Sequence, residues 1–596
     1  MNAADIALIR ETVYKLVNFQ YNGTIKVSEG DCLCVRGNSN EAEIVYSEKA
    51  ELARGFFLLA KELSTGKQEV YLKQKRHFKT LGVMPSLRDD VLTLDSLKQY
   101  TAYAAAVGMN TLLLYMEDVY ELEGYPYFGY LSGRYTQEEL KELDAYADRL
   151  GVEVVPCLQS LAHLTTYLKW EEAAPIKETA HSVMVGAEAT YKFIEAILKT
   201  AKACFHTDKI HLGMDEAREL GLGSYLFTHT YRPKSELFAE HVNRVKALCE
   251  KYGYTMQIWS DMIFKSCGGY DDEYSKRAVI TDDVRDAVQN IGLVYWDYYK
   301  NHKSAYTEII ERHRAISPNV LFAGGIWNWD GYLPNFDYTM KTAVPALEAC
   351  LDMGIDTVYA TVWNDPGDSF LMHSVYDFAI YSEYCYLGQA CTAEDIHSVG
   401  EFLTGYQRNL TSLVSRFFLG YDGATGIGAR LIHCDAFYEL LRYPIDYEWA
   451  AKEYRVGAEA LAAFAGTELA DYARAAFAAA GEKAELLHLL RPAYHSRDIN
   501  ALRDICDKNY TACIEAMSAL SDWQERLWHK YQKPFAIEGI QFRFAGLIKR
   551  LCYQQQRLGA FLDGKLEAIP ELEGEVLNRE HAIWLGWEQV ALPRKR

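Results

Sequence analysis

Between residues 81 and 363 the chain alternates between short apolar runs and longer amphipathic stretches. The runs are 81–85, 111–116, 152–158, 210–214, 255–260, 292–296, 320–326 and 357–363. Each is too short for a helix and apolar on both faces, as a strand of a covered parallel sheet must be. The stretches between them, among them 94–107, 137–150, 187–204, 236–252 and 340–353, carry helical periodicity. Gly108, Gly151, Gly253 and Gly354 follow four of these helices, where a left-handed cap is expected. Eight strand–helix units in succession predict an α/β fold, a (β/α)8 TIM barrel. An open doubly wound sheet would show a glycine-rich phosphate-binding turn after a strand, and the sequence has none.

At 596 residues the chain exceeds what one core supports. Residues 1–76 read as a small α/β domain, with strands at 44–46 and 69–72 and a helix over 50–63; Cys32 and Cys34 sit on one side of a further strand. The barrel takes 77–395. Strand signals then stop, and 396–596 reads as an α-helical domain on the alanine-rich 458–480 and the helical spacing of 499–522 and 542–561. The formal net charge of −20 opposes nucleic-acid and anionic-membrane partners. The terminal Pro593-Arg594-Lys595-Arg596 is the one basic cluster and reads as a solvated tail. No signal-peptide pattern opens the chain and no apolar run approaches membrane-spanning length. The 13 cysteines are odd in number and scattered, as in a reduced compartment. A cytoplasmic location is therefore expected, with a homo-oligomer compatible and no cofactor required.

In a barrel the residues at and just past the strand ends face one site. In order they are Arg88; Glu117 and Asp118; Gln159 and His163; His211, Asp215 and Glu216; Trp259 and Asp261; Tyr295, Asp297 and Tyr298; Trp327, Asn328 and Trp329; and Trp363, Asn364 and Asp365. Every strand ends in polar or aromatic groups. The adjacent carboxyls of Asp215 and Glu216 divide acid and electrostatic roles if their surroundings separate their pKa values. Tryptophans at three strand ends, in a chain with 43 Tyr and 11 Trp, suit the apolar faces of sugars. A metal site on His163, His211 and Asp215 has no recognised spacing.

The segment His211-Leu212-Gly213-Met214-Asp215-Glu216 resembles the signature of glycoside hydrolase family 20, the β-N-acetylhexosaminidases. The likeness extends over residues 1–395, and the helical C-terminal domain resembles a bacterial branch. It implies a substrate-assisted, retaining reaction, an exception among glycosidases in which the sugar's own 2-acetamido oxygen attacks the anomeric carbon. Glu216 is then the acid/base and Asp215 the partner of the acetamido N–H. Trp259, Trp327 and Trp363 box the acetyl methyl. Tyr295, in Tyr295-Trp296-Asp297, meets the acetamido oxygen, with Tyr298 a competing neighbour. Arg88 grips sugar hydroxyls, His163 supports the acid, and His211 and Asp365 complete the binding set. Two positions depart from the family pattern. Met214 replaces a glycine, and Trp363-Asn364-Asp365 replaces Trp-x-Glu, which bears on recognition of O4 and O6. The implied partner is an oligosaccharide or glycoside ending in β-linked GlcNAc or GalNAc. A barrel glycosidase of other specificity with a carboxylate nucleophile, and a non-catalytic sugar-binding protein, remain the alternatives.

Overall fold

An amphipathic helix, Ala3–Leu16, opens the chain and is capped by the Asn2 side chain on the Asp5 N–H. Four strands follow: β1 (Thr24–Glu29), β2 (Leu33–Gly37), β3 (Glu41–Tyr46) and β4 (Val70–Gln74). They form one sheet in the order β1-β3-β2-β4, with β1 parallel to β3 and the other pairs antiparallel. Helix Lys49–Ser64 links β3 to β4, starts on a Glu48/Glu51 capping box and buries most of its length. The opening helix Ala3–Leu16 and β1 lie outside the sequence reading; β1 has only two apolar residues, Ile25 and Val27, and buries neither. This computed structural model describes residues 2–88, 91–269, 272–329, 331–365, 368–419, 426–440 and 445–576; the basic terminal tetrapeptide lies outside them.

The eight apolar runs become β5 (Thr80–Pro85), β6 (Thr111–Met116), β7 (Glu153–Leu158), β8 (Lys209–His211), β9 (Thr255–Trp259), β10 (Gly292–Trp296), β11 (Val320–Gly325) and β12 (Thr357–Val362). All neighbours pair in parallel, and β12 pairs β5 from Thr357↔Thr80 to Val362↔Pro85, so the barrel closes. The four capping glycines all take positive φ. The barrel's interior is a packed core of Met84, Leu113, Tyr115, Val155, Cys157, Trp259, Val294, Leu321, Ala323 and Tyr359. The fourth strand is shorter than its apolar run. Beyond His211 the backbone turns through left-handed residues, Gly213 at φ 63° and Met214 at φ 72°, which no strand accommodates.

The chain divides into two compact units. The first is Met1–Ile326, Thr339–Trp363 and Ser374–Tyr406, and it contains both the small sheet and the barrel. The second is Trp327–Tyr338, Asn364–His373 and Gln407–Arg596. Its long elements are helices Tyr447–Leu461, Glu468–His495, Tyr510–Tyr531 and Ile537–Leu562. The alanine-rich stretch at 458–480 is two helices, broken where Gly466 takes φ 90°. Among the described residues no helix is long and apolar enough to cross a membrane.

A buried charge pair ties the sheet domain's helix to the barrel's last helix within the first unit. Arg54, fully buried, reaches Glu383 at 2.8 Å and donates to Gln74 Oε1 at 2.8 Å and to the Val107 carbonyl at 3.1 Å. Removing one partner strands the other charge away from water. Glu383→Ala is therefore expected to lose about 3–5 kcal/mol in urea unfolding. The double replacement Arg54→Met/Glu383→Leu should recover most of that loss, because an apolar pair leaves no charge stranded.

Candidate active site

Side chains alternate along a strand, so the core residues fix which strand-end groups point inward. Tyr115 faces the interior, and so does Glu117 two residues on; Cys157 brings Gln159 with it, and Trp259 brings Asp261. On β10 the inward residues are Val294 and the partly buried Trp296, followed by Tyr298. Tyr295 therefore points outward.

At the mouth of β8, Asp215 and Glu216 part company. Asp215 is buried; its Oδ2 lies 3.1 Å from His163 Nε2 and its Oδ1 accepts from Gln159 Nε2 at 3.3 Å. Glu216 is more open, with Oε1 accepting from Arg218 at 2.9 Å and Oε2 3.7 Å from His163 Nε2. His163 itself sits at φ 57°, with its Nδ1 4.0 Å from Glu117 Oε1. The polar contacts close a ring. Tyr115 Oη donates to Glu117 at 3.0 Å and accepts from Gln159 at 3.1 Å, and Gln159 leads back to Asp215. Burial works against a charge on His163, but Asp215 and then Glu117 and Glu216 outweigh it and raise the imidazole to about 9. Burial likewise pushes Asp215 up, and protonated His163 more than cancels that, holding the carboxylate below its ordinary range. Asp215 is thus a buried, permanently ionised group at neutral pH.

Gly213 permits this packing. A Cβ there would stand 1.9 Å from Gln159 Oε1, and its φ of 63° is left-handed. Behind the carboxyls lies Asp261, fully buried at the start of helix Asp261–Lys265. Its Oδ2 accepts from the Glu216 N–H at 3.0 Å and its Oδ1 from the Trp296 indole N–H at 3.4 Å. Burial, then the charge of Asp215, pushes Asp261 up to about 8.

Aromatic rings form the neighbouring wall. Trp259 packs on His211 at 4.2 Å and stands 6.3 Å from Trp363, whose edge meets Tyr115 at 4.9 Å. Trp296 and Tyr298 stack at 5.4 Å, and Tyr298 sits beside Thr361 and Trp363. His211 is neutral: burial lowers it to about 3, and its Nδ1 accepts from the Gly213 N–H at 3.1 Å. Its Nε2 therefore carries the proton. Gln159 Oε1, His211 Nε2 and Trp259 Nε1 are buried without a hydrogen-bond partner. Each such atom costs about 1–3 kcal/mol, so their gathering at one strand-end face marks a place built to take polar ligand groups. Among the described residues no three His, Cys, Asp or Glu side chains converge as a metal-binding set.

The structure thus brings together Asp215, Glu216, His163, His211, Trp259, Tyr298 and Trp363, with Arg88 at the edge, its Nη1 3.6 Å from Glu117. Tyr295 and Asp297 require correction. Tyr295 packs outward against Tyr274, His313 and Phe322, and its hydroxyl donates to Asp297 at 2.9 Å. The Asp297 carboxylate is further occupied by the N–H groups of Tyr299 and Lys300 and by the Lys300 ammonium at 2.6 Å. Both are spent on the barrel's outer layer. Trp327 and Asp365 belong to segments of the second unit. Trp327 is fully buried there, stacked on Trp329 at 4.1 Å and edge-on to Tyr338, and Asp365 is half-buried. Tyr115 was missed because it lies inside an apolar strand. Asp261 stood in the strand-end series but not in the binding set, because the likeness gives it no role.

A barrel whose strand-end face carries paired carboxyls of opposed environment beside an aromatic wall defines the catalytic domain of a glycoside hydrolase. Residues 91–305 match the family model described as glycosyl hydrolase family 20, catalytic domain, and 438–582 match the Glycoside Hydrolase 20C C-terminal domain. The chain belongs to glycoside hydrolase family 20. It is similar to a beta-hexosaminidase of Vibrio furnissii, 29% identical over 160 residues that make up 24% of this chain and 25% of that protein. It is also similar to hexosaminidase D of Bos taurus, 25% identical over 167 residues, 26% of this chain and 48% of that one. The chain thus spans a quarter to about half of the length of these relatives. In fold it resembles the Streptomyces plicatus N-acetyl-beta-hexosaminidase, with a TM-score of 0.50 and 14% identity over 68% of this chain and 90% of that chain.

His163 and Asp261 both release their protons later in the folded protein than in the unfolded chain. Stability carried by His163 is complete below about 6.5 and is lost as pH rises toward about 9, worth at most about 3 kcal/mol. Asp261 acts in the same direction between about 4 and its folded value of about 8. The urea midpoint should therefore fall from pH 6 to pH 9. In His163→Gln the fall above pH 6.5 should shrink; an unchanged slope would show that His163 carries no raised pKa.

Proposed function

We propose that the chain is an exo-acting β-N-acetylhexosaminidase that releases terminal β-linked GlcNAc or GalNAc with retention of configuration. The observation that carries this reading is the division between Asp215, buried and held ionised by His163, and Glu216, half-open beside it. A substrate-assisted reaction asks for this asymmetry. One carboxylate must stay charged and hold the acetamido N–H, while the other exchanges a proton with the glycosidic oxygen.

In this reading the acetamido methyl enters the wall of Trp259, Trp363 and Tyr298. The Tyr298 phenol donates to the acetamido oxygen and so takes the part first given to Tyr295. Asp215 accepts the N–H and turns the oxygen toward the anomeric carbon. As that oxygen attacks, Glu216 gives its proton to the departing oxygen. The positive charge that grows on the oxazolinium ring faces Asp215. Glu216, now a carboxylate, then takes a proton from the water that opens the ring and restores the β-configured sugar. Arg88 is available to the sugar hydroxyls. We also propose a cytoplasmic location, which the thirteen free cysteines favour.

The test is hydrolysis of p-nitrophenyl glycosides. The wild type should cleave the β-GlcNAc and β-GalNAc forms and leave the 2-hydroxy β-glucoside; equal cleavage of all three would remove the acetamido group from the mechanism. Glu216→Gln should lose about 10²–10⁴-fold on substrates with poor leaving groups and much less on activated aryl glycosides. Asp215→Asn should lose about 10²–10³-fold, since the developing cation loses its counter-charge. A covalent glycosyl adduct trapped on Asp215→Asn would reveal a protein nucleophile and overturn the assignment.

A further inference from the structure

We infer that Asp261 is a positioning residue, one carboxyl that fixes the proton donor and the acetamido wall in register with each other. The inference rests on the reading above for the roles of Glu216 and Tyr298, but its geometry does not. Both oxygens of Asp261 are committed, one to the backbone N–H of Glu216 and the other to the indole N–H of Trp296. The Trp296 ring lies on Tyr298 at 5.4 Å and 25°, so the second hydrogen bond also sets the plane of the phenol that meets the acetamido oxygen. Each half of the site is thus oriented from the same buried side chain.

The need for such a hold is visible in the backbone. Glu216 is a non-glycine residue at φ 49°, and Met214 before it is at φ 72°. Left-handed residues of this kind are strained and persist only where their surroundings hold them. The Asp261 bond to the Glu216 N–H supplies part of that hold, and the Arg218 N–H on the Glu216 carbonyl at 2.7 Å supplies another. The charged groups facing Asp261 are Asp215, Glu216 and Glu273, with the Arg218 guanidinium opposing them. Out of water, and facing three carboxylates against one guanidinium, Asp261 is pushed up to about 8 and so does not compete with Asp215 for the charge of His163. A side chain there must be short, must accept twice and must be able to stay neutral. Asparagine keeps one acceptor, but its amide NH2 then faces the Trp296 N–H, donor against donor. Alanine loses both bonds.

The two variants therefore separate the two functions. In Asp261→Ala, amide hydrogen exchange in the peptide carrying Glu216 should rise about tenfold or more, because the N–H loses its acceptor. Its kcat should fall about 10–100-fold on 2-acetamido glycosides with poor leaving groups and less on activated aryl ones, the signature of a misaimed acid. In Asp261→Asn, exchange and the leaving-group dependence should stay as in the wild type while KM rises several-fold, because only the wall is released. Unchanged exchange in Asp261→Ala, equal losses across leaving groups, or identical behaviour of the two variants would overturn the proposal. A wild type inactive on every 2-acetamido glycoside would instead sink the proposed function, and the exchange measurement would still decide whether Asp261 holds Glu216. Should Asp261→Ala fail to fold, Asp261→Asn decides alone: a raised KM at constant leaving-group dependence supports the inference, and an unchanged KM overturns it.

Discussion

The site is organised around one buried ion pair, His163 with Asp215. A charge taken out of water at the mouth of a barrel is tolerable only if its remaining lone pairs and protons are met by fixed partners. That requirement propagates through the surrounding residues. Asp215 needs a second donor, and Gln159 supplies it. Gln159 in turn needs an orienting partner, and Tyr115 takes the same amide N–H group while passing its own proton to Glu117. Glu117 returns to His163, which closes the ring. Three neighbouring strands, β6, β7 and β8, contribute, so the ring depends on their side-by-side pairing. The inward face of β6 gives a tyrosine and a carboxylate to this ring where a purely structural barrel would have placed two aliphatic side chains.

The same pair explains the local backbone. Met214 and Glu216 past β8, and His163 past the neighbouring β7, are all non-glycine residues with positive φ, and Gly213 makes a fourth left-handed position. Strain of this kind gathers at sites where the fold over-determines the conformation. Here it converts an extended β8 into a sharp display of two consecutive carboxyls. In a continuing strand Asp215 and Glu216 would point to opposite faces. With the turn, both come within 4 Å of one imidazole, Asp215 from the buried side and Glu216 from the open one. The short ladder of β8 is therefore what lets both carboxyls reach His163.

How much of this was legible in the sequence differs between levels. The barrel was, because buried parallel strands need continuous apolar runs and the helices between them need amphipathic ones. The carboxylate pair, His163 and the tryptophans of β9 and β12 were also legible, since their place at strand ends follows from strand limits alone. Inward and outward are harder. Tyr295 and Tyr298 stand on the same stretch of chain, and only the parity of Val294 in the core shows that the former faces the helices and the latter the interior. Tyr115 was hidden because a buried tyrosine inside an apolar strand carries no sign that its hydroxyl joins a polar network at the strand ends. Trp327 shows a different limit. It lies two residues past the end of β11, where Trp259 still belongs to β9, and its segment clusters with the helical unit, where Trp329 and Tyr338 cover its ring. Strand-end spacing predicts where a residue leaves the barrel and says nothing about where the following loop goes.

Three acids stand close together here, and their surroundings push two of them in opposite directions. Asp215 and Asp261 are both fully desolvated, so burial alone would raise both. What separates them is which of them the His163 cation touches. His163 touches Asp215 and holds it ionised. That negative charge, once fixed, is then a principal reason that Asp261 keeps its proton. The two assignments are therefore not independent: charge on Asp215 adds to burial in raising Asp261, and a neutral Asp261 avoids adding a second buried charge beside Glu216. With His163 on Asp215 and Arg218 on Glu216, the three carboxyls become a fixed negative group, a neutral brace and an accessible carboxyl. That is the arrangement an acid catalyst beside a cation-stabilising carboxylate requires.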